Sequence, residues 1–382
     1  MRVNPDISGT ARAPRCIVKL GAADSTVVMP GWVNVEVVNN NMTSADTFHV
    51  TFAASMLPDA FDANWFSEQA DMYVSVYMGF PADPDNYSSS DLTQFIYGQV
   101  DAIEYDPVER MIDVSGRDLT RVFIDTKSTE KYVNLTSSQI ATQLATAHGL
   151  IPQVTQTTTK ALKYYDIDHV VMTDERSDWE LLMYLAQVEG FIVYVRNKTL
   201  YFGPNPVETA APYAYAPYVI QWQPASDASG ADTANVQTLN FQRALTIGRG
   251  VQVVIRSWNS KQAKGFTATF PSAAKRIQVG KSTPFGQSQV YARTIPNLTQ
   301  AQADQRAQSL YNSIVQHEMR LTAELPGDVL LDTTSVIQVT GTGTAYDQIY
   351  YPDSISRRFG WDGGFSMHVS AKNMAPESQA TL

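Results

Sequence analysis

Period-two alternation dominates the first third of the chain. From Cys16 to about Asp125, β-branched or aromatic residues alternate with polar ones, broken by turn clusters such as MPGW, VNNNMTSAD and YDPVER. This pattern predicts short, half-buried strands closed into a small barrel or sandwich. In GQVDAIEYDPVERMIDVSGRDLTRVFIDT, Val100, Ala102 and Glu104 fall on one side of a strand. A turn at Asp106-Pro107 follows, and Ile112 and Val114 return facing the same way before Gly116.

The period then changes to helical. LTSSQIATQLATAHGL opens on a capping box, Thr136 with Gln139, sets Ile140, Leu144 and Ala147 on one face, and stops at Gly149. IPQVTQTTTK reads as a polar linker or edge strand. SDWELLMYLAQVEG repeats the recipe, with Ser177 and Glu180 as the box, an apolar face of Trp179, Leu182, Met183 and Ala186, and Gly190 as the stop. FIVYVRNKTLYFG predicts a hairpin around Asn197-Lys198, because Asn tolerates the left-handed backbone of a two-residue turn.

PNPVETAAPYAYAP reads as a connector. Strands return in VQTLNFQRAL and GVQVVIRSWNS, and the long stretch AKGFTATFPSAAKRIQVGKSTPFGQSQVYART reads as a loop. A third helix, capped by Thr299 with Gln302 and bearing Ala303, Ala307, Leu310 and Ile314, is expected to run to about Met319. FSMHVSAKN then alternates Phe365, Met367, Val369 and Ala371 against Ser366, His368, Ser370 and Lys372. No internal repeat of fixed short period occurs.

Composition narrows the function classes. At 382 residues the chain has room for two or three domains, and 44% hydrophobic with 17% charged residues is ordinary globular material. No apolar run approaches the roughly 20 residues of a membrane span, so no membrane insertion by this chain is expected. The single cysteine, Cys16, permits neither an internal disulfide nor a Cys cluster and reads as a small buried thiol. A net charge of −10 argues against affinity built on neutralising phosphates.

Candidate chemistry is sparse. The G-x-S-x-G elbow of hydrolases is absent, and GQSQV around Ser288 lacks its last glycine. His317-Glu318 begins like a zinc-protease helix, but position 321 is Leu. Asp166 and Asp168 share one strand face while His169 points away. Asp83, Asp85, Asn86 and Asp91 are oxygen ligands without the mid-loop glycine and final glutamate of a calcium loop, so they read as a surface loop. TGTGTAYD, Thr340 to Asp347, reads as a hairpin turn and not a phosphate cradle. No local spacing singles out a carboxylate pair among the 38 acids. No catalytic residue, metal ligand or cofactor is therefore expected.

Three segments together resemble one family. SGRDLTRVFID (Ser115 to Asp125), with Gly116, Arg117 and Asp118, looks like the end of that family's first barrel. SDWELLMYLAQVEGFIVYVRNKTLYF, with Ser177, Asp178, Trp179, Glu180 and Gly190, looks like its most recognisable motif. The helix from Leu298 to Met319, LPGD and GFSMHVSAKN are similar to its second barrel. The chain thus resembles the baseplate hub proteins of contractile phage tails, the group of late control protein D of P2-like phages, the Mu-like hub proteins and the hub part of type VI secretion spikes. The resemblance spans Cys16 to Asn373 and rests on structural motifs, which identify architecture better than activity.

The resemblance implies a mainly β fold with an α+β insertion: two small tube-type β-barrel domains, 1–127 and 206–382, separated by an α/β portion, 128–205. It further implies a non-enzymatic homotrimer whose six barrels adapt a sixfold tail tube to a threefold central spike. The expected partners are the tube protein, a separate trimeric spike protein and baseplate wedge proteins, with DNA only in transit, in the virion tail after assembly in the host cytoplasm. Acids lining the lumen would repel passing DNA. Two readings of other classes stay open: a peripheral tail protein binding carbohydrate or a fibre through its six Trp and 19 Tyr, and a tail-associated hydrolase.

Overall fold

The computed structural model describes residues 13–22, 25–41, 44–128, 132, 134–158, 176–204, 217–225, 230–245, 250–259, 263–272, 289–296, 298–315 and 318–373. The chain begins with strands β1 (Arg15–Ala22), β2 (Ser25–Val28), β3 (Trp32–Asn40) and β4 (Thr47–Ala53). The short helix α1 (Ala63–Ser67) precedes β5 (Tyr73–Gly79), β6 (Thr93–Asp106) and β7 (Met111–Asp118). All pair antiparallel in the order β3-β4-β7-β6-β5-β1-β2. The alternation does what it predicts: β4 and β7 bury every second residue, and Val18, Val35, Val50, Phe52, Val76 and Val114 meet in one core.

One expectation fails by a single residue. A bulge between Val100 and Ala102 inserts an extra residue into β6, so Ile103, and not Ala102 or Glu104, lies opposite Val114. Ala102 and Glu104 are exposed. The turn itself forms, with Asp106 Oδ1 accepting from the amides of Val108 (2.7 Å) and Glu109 (2.9 Å).

Gly98 and Gly116 sit where β6 and β7 press against the Phe48 ring. A Cβ on Gly116 would strike the Gln99 carbonyl and that ring. Gly116→Ala is therefore expected to lower stability by about 1–3 kcal/mol through overpacking, read as a fall in the denaturant midpoint at unchanged m-value; an unchanged midpoint would mean that the ladder opens freely there.

Next come α2 (Arg121–Asp125), β8 (Lys127–Ser128), α3 (Ser137–Ala147), β9 (Ile151–Val154), β10 (Arg176–Ser177), α4 (Asp178–Glu189), β11 (Ile192–Arg196) and β12 (Thr199–Gly203). Both capping boxes form, and Gly190 closes α4 at φ 70°. Ala147 is exposed, and Ala141 and Ala145 complete the α3 face instead; Leu185 joins that of α4. Asn197 turns the β11–β12 hairpin at φ 53°, and β9 adds parallel to β12 as an edge strand. The shared core reaches the outer face of the first sheet through Tyr97, with Tyr73 against it.

The last part holds β13 (Tyr218–Gln223), β14 (Thr233–Ala234), β15 (Thr238–Arg243), β16 (Val251–Asn259), β17 (Lys264–Phe270), β18 (Gln289–Thr294), α5 (Gln300–Val315), β19 (Met319–Pro326), β20 (Ile337–Thr340), β21 (Ile349–Gly360) and β22 (Gly364–Lys372). β17 and β18 lie within the stretch expected to be a loop. Phe266, Ala268 and Phe270 do alternate there, and β16 pairs with both strands. This three-stranded sheet buries Val251, Val253, Ile255 and Ala268 against Ala303, Ala307 and Tyr311 of α5. The helix ends at Val315 and not Met319, because Met319, Leu321, Ala323 and Leu325 alternate inward as β19.

The mainly β class holds, with α/β elements between its strand-rich parts. Among the described residues the ladders do not close into two separate rings. The twelve-residue β21 pairs with β22 on one side and with β3 on the other, Ser354 opposite Asn40 and Gly360 opposite Asn34, so both ends of the chain share one 14-stranded sheet. The connector (205–216), Ser288, Asp166, Asp168, His169 and His317 lie outside the described residues.

Candidate functional site

The two sequence motifs, about 60 residues apart, meet in space. Asp118 ends β7 and its carboxylate accepts from the Thr120 amide and hydroxyl, both at 3.1 Å, starting the turn into α2. Arg117 and Arg121 lie over Asp101 and Asp125 in a four-membered ion network, with Nε–O distances of 2.6 and 2.9 Å. The chain leaves α2 through β8, which pairs with β10, and the Asp178 amide donates to the Thr126 carbonyl (3.0 Å). Ser177 and Glu180 cap α4 as expected. Trp179 then packs on Phe123, ring centroids 6.4 Å apart, while Asp178 holds His148 Nε2 at 2.8 Å.

Asp118 and Trp179 line one small recess together with Asp46 and Arg196. Beside it lies a cleft of about 190 Å³ bounded by Asn39, Asp46, Asp118, Arg196, Asp332 and Arg357. All three parts of the chain contribute to it. Arg196, at the end of β11, donates to both oxygens of Asp332 at 2.9 and 3.0 Å. Arg357, on β21, is 1% exposed and lies 4.1 Å over the Phe95 ring. Its guanidinium donates to Asn39 Oδ1 (2.9 Å) and to the carbonyls of Asp328 and Leu331.

The electrostatics follow from enclosure. Burial pulls the Arg357 pKa down to about 10, against the pull of Asp332 and Asp328, so it stays charged at neutral pH. Enclosure raises the Asp332 carboxyl, but the Arg196 guanidinium outweighs it and holds the group below the usual carboxylate range. Asp46 is pushed up to about 6 by burial despite hydrogen bonds from Asn39 and Asn40. Asp118 is driven well above its ordinary value by burial and by the nearby Asp46 charge.

A pH dependence follows for the Asp46–Asp118 pair. Both acids hold their protons more tightly in the folded state than in the unfolded chain, whose aspartates titrate near 3.9. Stability from the pair is thus fully present below about pH 4 and is lost as pH rises through about 6, the Asp46 value. Thermal unfolding of wild type and Asp118→Asn between pH 4 and 8 is expected to show the variant gaining on wild type by on the order of 2 kcal/mol as pH rises. A difference flat across that range would show that the two carboxyls do not oppose each other.

Arg196, Asp332 and Arg357 escaped the sequence reading, because SISRRFG presents two adjacent arginines and nothing local tells which is buried. Elsewhere the described residues considered for chemistry lie on the surface or serve the fold. Burial pushes the Cys16 thiol pKa up, and the thiol is enclosed. Asp83 and Asp85 are on the surface, and Asp91 completes a capping box with Ser88. Asp347 holds the Thr340–Asp347 turn through the amides of Thr342 (3.1 Å) and Gly343 (2.9 Å). Glu318 is fully buried and pairs with Arg243 at 3.0 Å. Among the described residues no three His, Cys, Asp or Glu side chains converge to hold a metal ion, and no helix is long and apolar enough to cross a membrane.

No family model and no curated protein matches the chain. Solved structures do. The 43 kDa tail protein of prophage MuSo2 from Shewanella oneidensis is similar at a TM-score of 0.64 and 16% identity, over 96% of this chain and 100% of that one. The tail protein from Neisseria meningitidis MC58 is similar at 0.63 and 13%, over 94% and 96%. The E. coli c3393 protein, described as a component of the type VI secretion system with structural similarity to the T4 bacteriophage tail proteins gp27 and gp5, is similar at 0.53 and 9%, over 95% and 78%. At these identities the likeness is one of fold, and the chain shares the fold of these tail proteins over nearly its whole length.

Proposed function

We propose that this chain is a non-enzymatic structural protein of a phage or phage-like tail, and that it forms the homotrimeric baseplate hub between tail tube and central spike. The observation that supports this most is the fold shared end to end with tail proteins, over 94–96% of the chain. Its placement in the virion tail, with tube, spike and wedge proteins as partners, rests on the same likeness and on the SGRD and SDWE motifs. The division into 1–127, 128–205 and 206–382 belongs to this reading.

In the hub, the polar cleft is an internal lock and not a catalytic centre. Asn39 and Asp46 come from the first part of the chain, Arg196 from the middle, and Asp332 and Arg357 from the last. Such a lock holds the parts in one register, which a ring needs if its copies are to close. DNA would meet the lumen only in transit.

Light scattering of the purified chain, alone and with its tail's spike and tube proteins, tests the reading. A mass of three copies, alone or in the complex, is the expected result. A persistent monomer beside both partners overturns it.

A further inference from the structure

Residues 132–159 contain no Asp, Glu, Lys or Arg, the longest such run in a chain with 38 acidic and 28 basic residues. The run contains α3 and the edge strand β9, which lie side by side. Soluble surfaces ordinarily intersperse both charges, and open strand edges are ordinarily guarded by Lys, Pro or a bulge. β9 carries Pro152 and no charge, and Ile151, Pro152 and Gln153 are exposed.

One edge of β9 is paired and the other is open. The Ile151 amide donates to the Lys198 carbonyl and the Thr155 amide to the Phe202 carbonyl, both at 2.8 Å. Backbone groups alternate in direction along a strand, so those of residues 152, 154 and 156 point away from β12. Among the described residues, the outward amides of Val154 and Gln156 and the outward carbonyls of Pro152 and Val154 have no hydrogen-bond partner. They border a groove of about 590 Å³, whose other wall is the side of α3 bearing Gln139, Thr142 and Gln143. The Thr157 amide donates to Ser138 Oγ and the Ser138 amide to Thr157 Oγ1, both at 3.1 Å, which pins the two walls together at one end.

The lining selects the occupant. It holds no charged side chain to pair with a phosphate or a metal ion, and no aromatic ring on which a sugar or a base could stack. It offers main-chain donors and acceptors at every second residue, roughly 6.6 Å apart. An extended polypeptide backbone is the group that matches such a row.

We propose that the groove takes an extended, uncharged segment of a partner protein, which adds to β9 as a fourth strand of the β11–β12–β9 sheet. From Pro152 to Gln156 the edge runs roughly 13 Å, room for about five residues. Main-chain bonds supply the affinity. The uncharged wall of α3 rejects a segment that turns Asp, Glu, Lys or Arg towards it, because a charge there loses water and gains no partner. The inference adds a contact to the tail reading above and does not depend on the trimer.

The test uses the full chain and a labelled peptide with blocked ends, Gln-Val-Thr-Val-Gln-Val-Thr, followed by fluorescence anisotropy. The wild-type chain is expected to bind it, and two variants are expected to bind it at least ~10-fold more weakly. Gln156→Pro removes an outward amide and leaves the Thr155–Phe202 hydrogen bond in place. Thr142→Trp fills the groove from α3. Both positions are exposed, and circular dichroism checks the fold; the variants act on opposite walls, so either decides alone. The same peptide N-methylated throughout cannot donate to the edge and is expected not to bind. Its binding as tightly as the parent overturns strand addition, and a version with Glu in place of each valine that binds equally overturns the uncharged specificity. No binding of the parent peptide by wild type at about 1 mM overturns the site itself. Equal masses of wild type and Gln156→Pro in sedimentation equilibrium are the expected result, whatever the oligomer. If Gln156→Pro instead abolishes self-association of a folded chain, the occupant is a second copy and the partner reading fails.

Discussion

Arg357→Ala is expected to lower folding stability by about 3–5 kcal/mol, the range for removing one partner from a buried charged network. The guanidinium is fully enclosed, so its loss exposes nothing to water and strands three acceptors: Asn39 Oδ1 and the Asp328 and Leu331 carbonyls. It also removes the cation from the Phe95 face. Asn39 belongs to β3, Phe95 to β6, and Asp328 and Leu331 to the segment between β19 and β20. The loss therefore falls on the seam where β21 joins β3, and not on one element.

Arg357→Lys separates charge from geometry. Lysine keeps the cation, but its single ammonium cannot reach three divergent acceptors as a planar fork does. Its stability is expected to fall between wild type and the alanine variant in urea unfolding. If the lysine variant equals wild type, charge alone holds the seam and the fork is incidental; if the alanine variant equals wild type, water satisfies the three acceptors. Arg358, the adjacent residue, is exposed and pairs with Glu36 at 3.2 Å. Arg358→Ala is expected to change stability by less than about 1 kcal/mol, which makes it the control for this region.

That contrast also shows where the chain could and could not be read in advance. Strands such as β4, β7, β19 and β22 bury one side, so alternation reveals them directly. Capping boxes at Thr136 and Ser177, the Gly190 stop and the Asn197 turn are local chemistry and are equally plain. The pairing of β3 with β21 is not local: it joins residues more than 300 positions apart, and no periodicity in either strand names its partner. The bulge at Val100–Ala102 is hidden for another reason, since one inserted residue changes which face Ile103 occupies without changing composition. β17 reads as a loop because Gly265 and two threonines, Thr267 and Thr269, dilute an alternation that Phe266, Ala268 and Phe270 still carry. The polar cleft follows from long-range pairing, and so it became visible only with the fold.

Trp179→Ala tests the most legible motif. Trp179 is 6% exposed at the start of α4, packed on Phe123 of α2 and within a core shared with Leu182, Leu185, Ile140 and Leu144. Truncation leaves a cavity that α4, pinned by its capping box, by the Asp178–Thr126 hydrogen bond and by Gly190, cannot collapse to fill. The expected loss is about 3–5 kcal/mol, measured as a lower denaturant midpoint. Trp179→Phe keeps most of the packing and is expected to lose less than half as much. Because Trp179 and Asp118 line the same recess, a collapse of α4 also disturbs the cleft around Arg196 and Asp332, so assembly of the proposed trimer is expected to fail with folding. A Trp179→Ala variant that unfolds at the wild-type midpoint yet does not assemble would refute this and place Trp179 at a contact between copies. The geometry favours folding, since an indole enclosed by its own chain on the α2 side has little surface left to offer a neighbour.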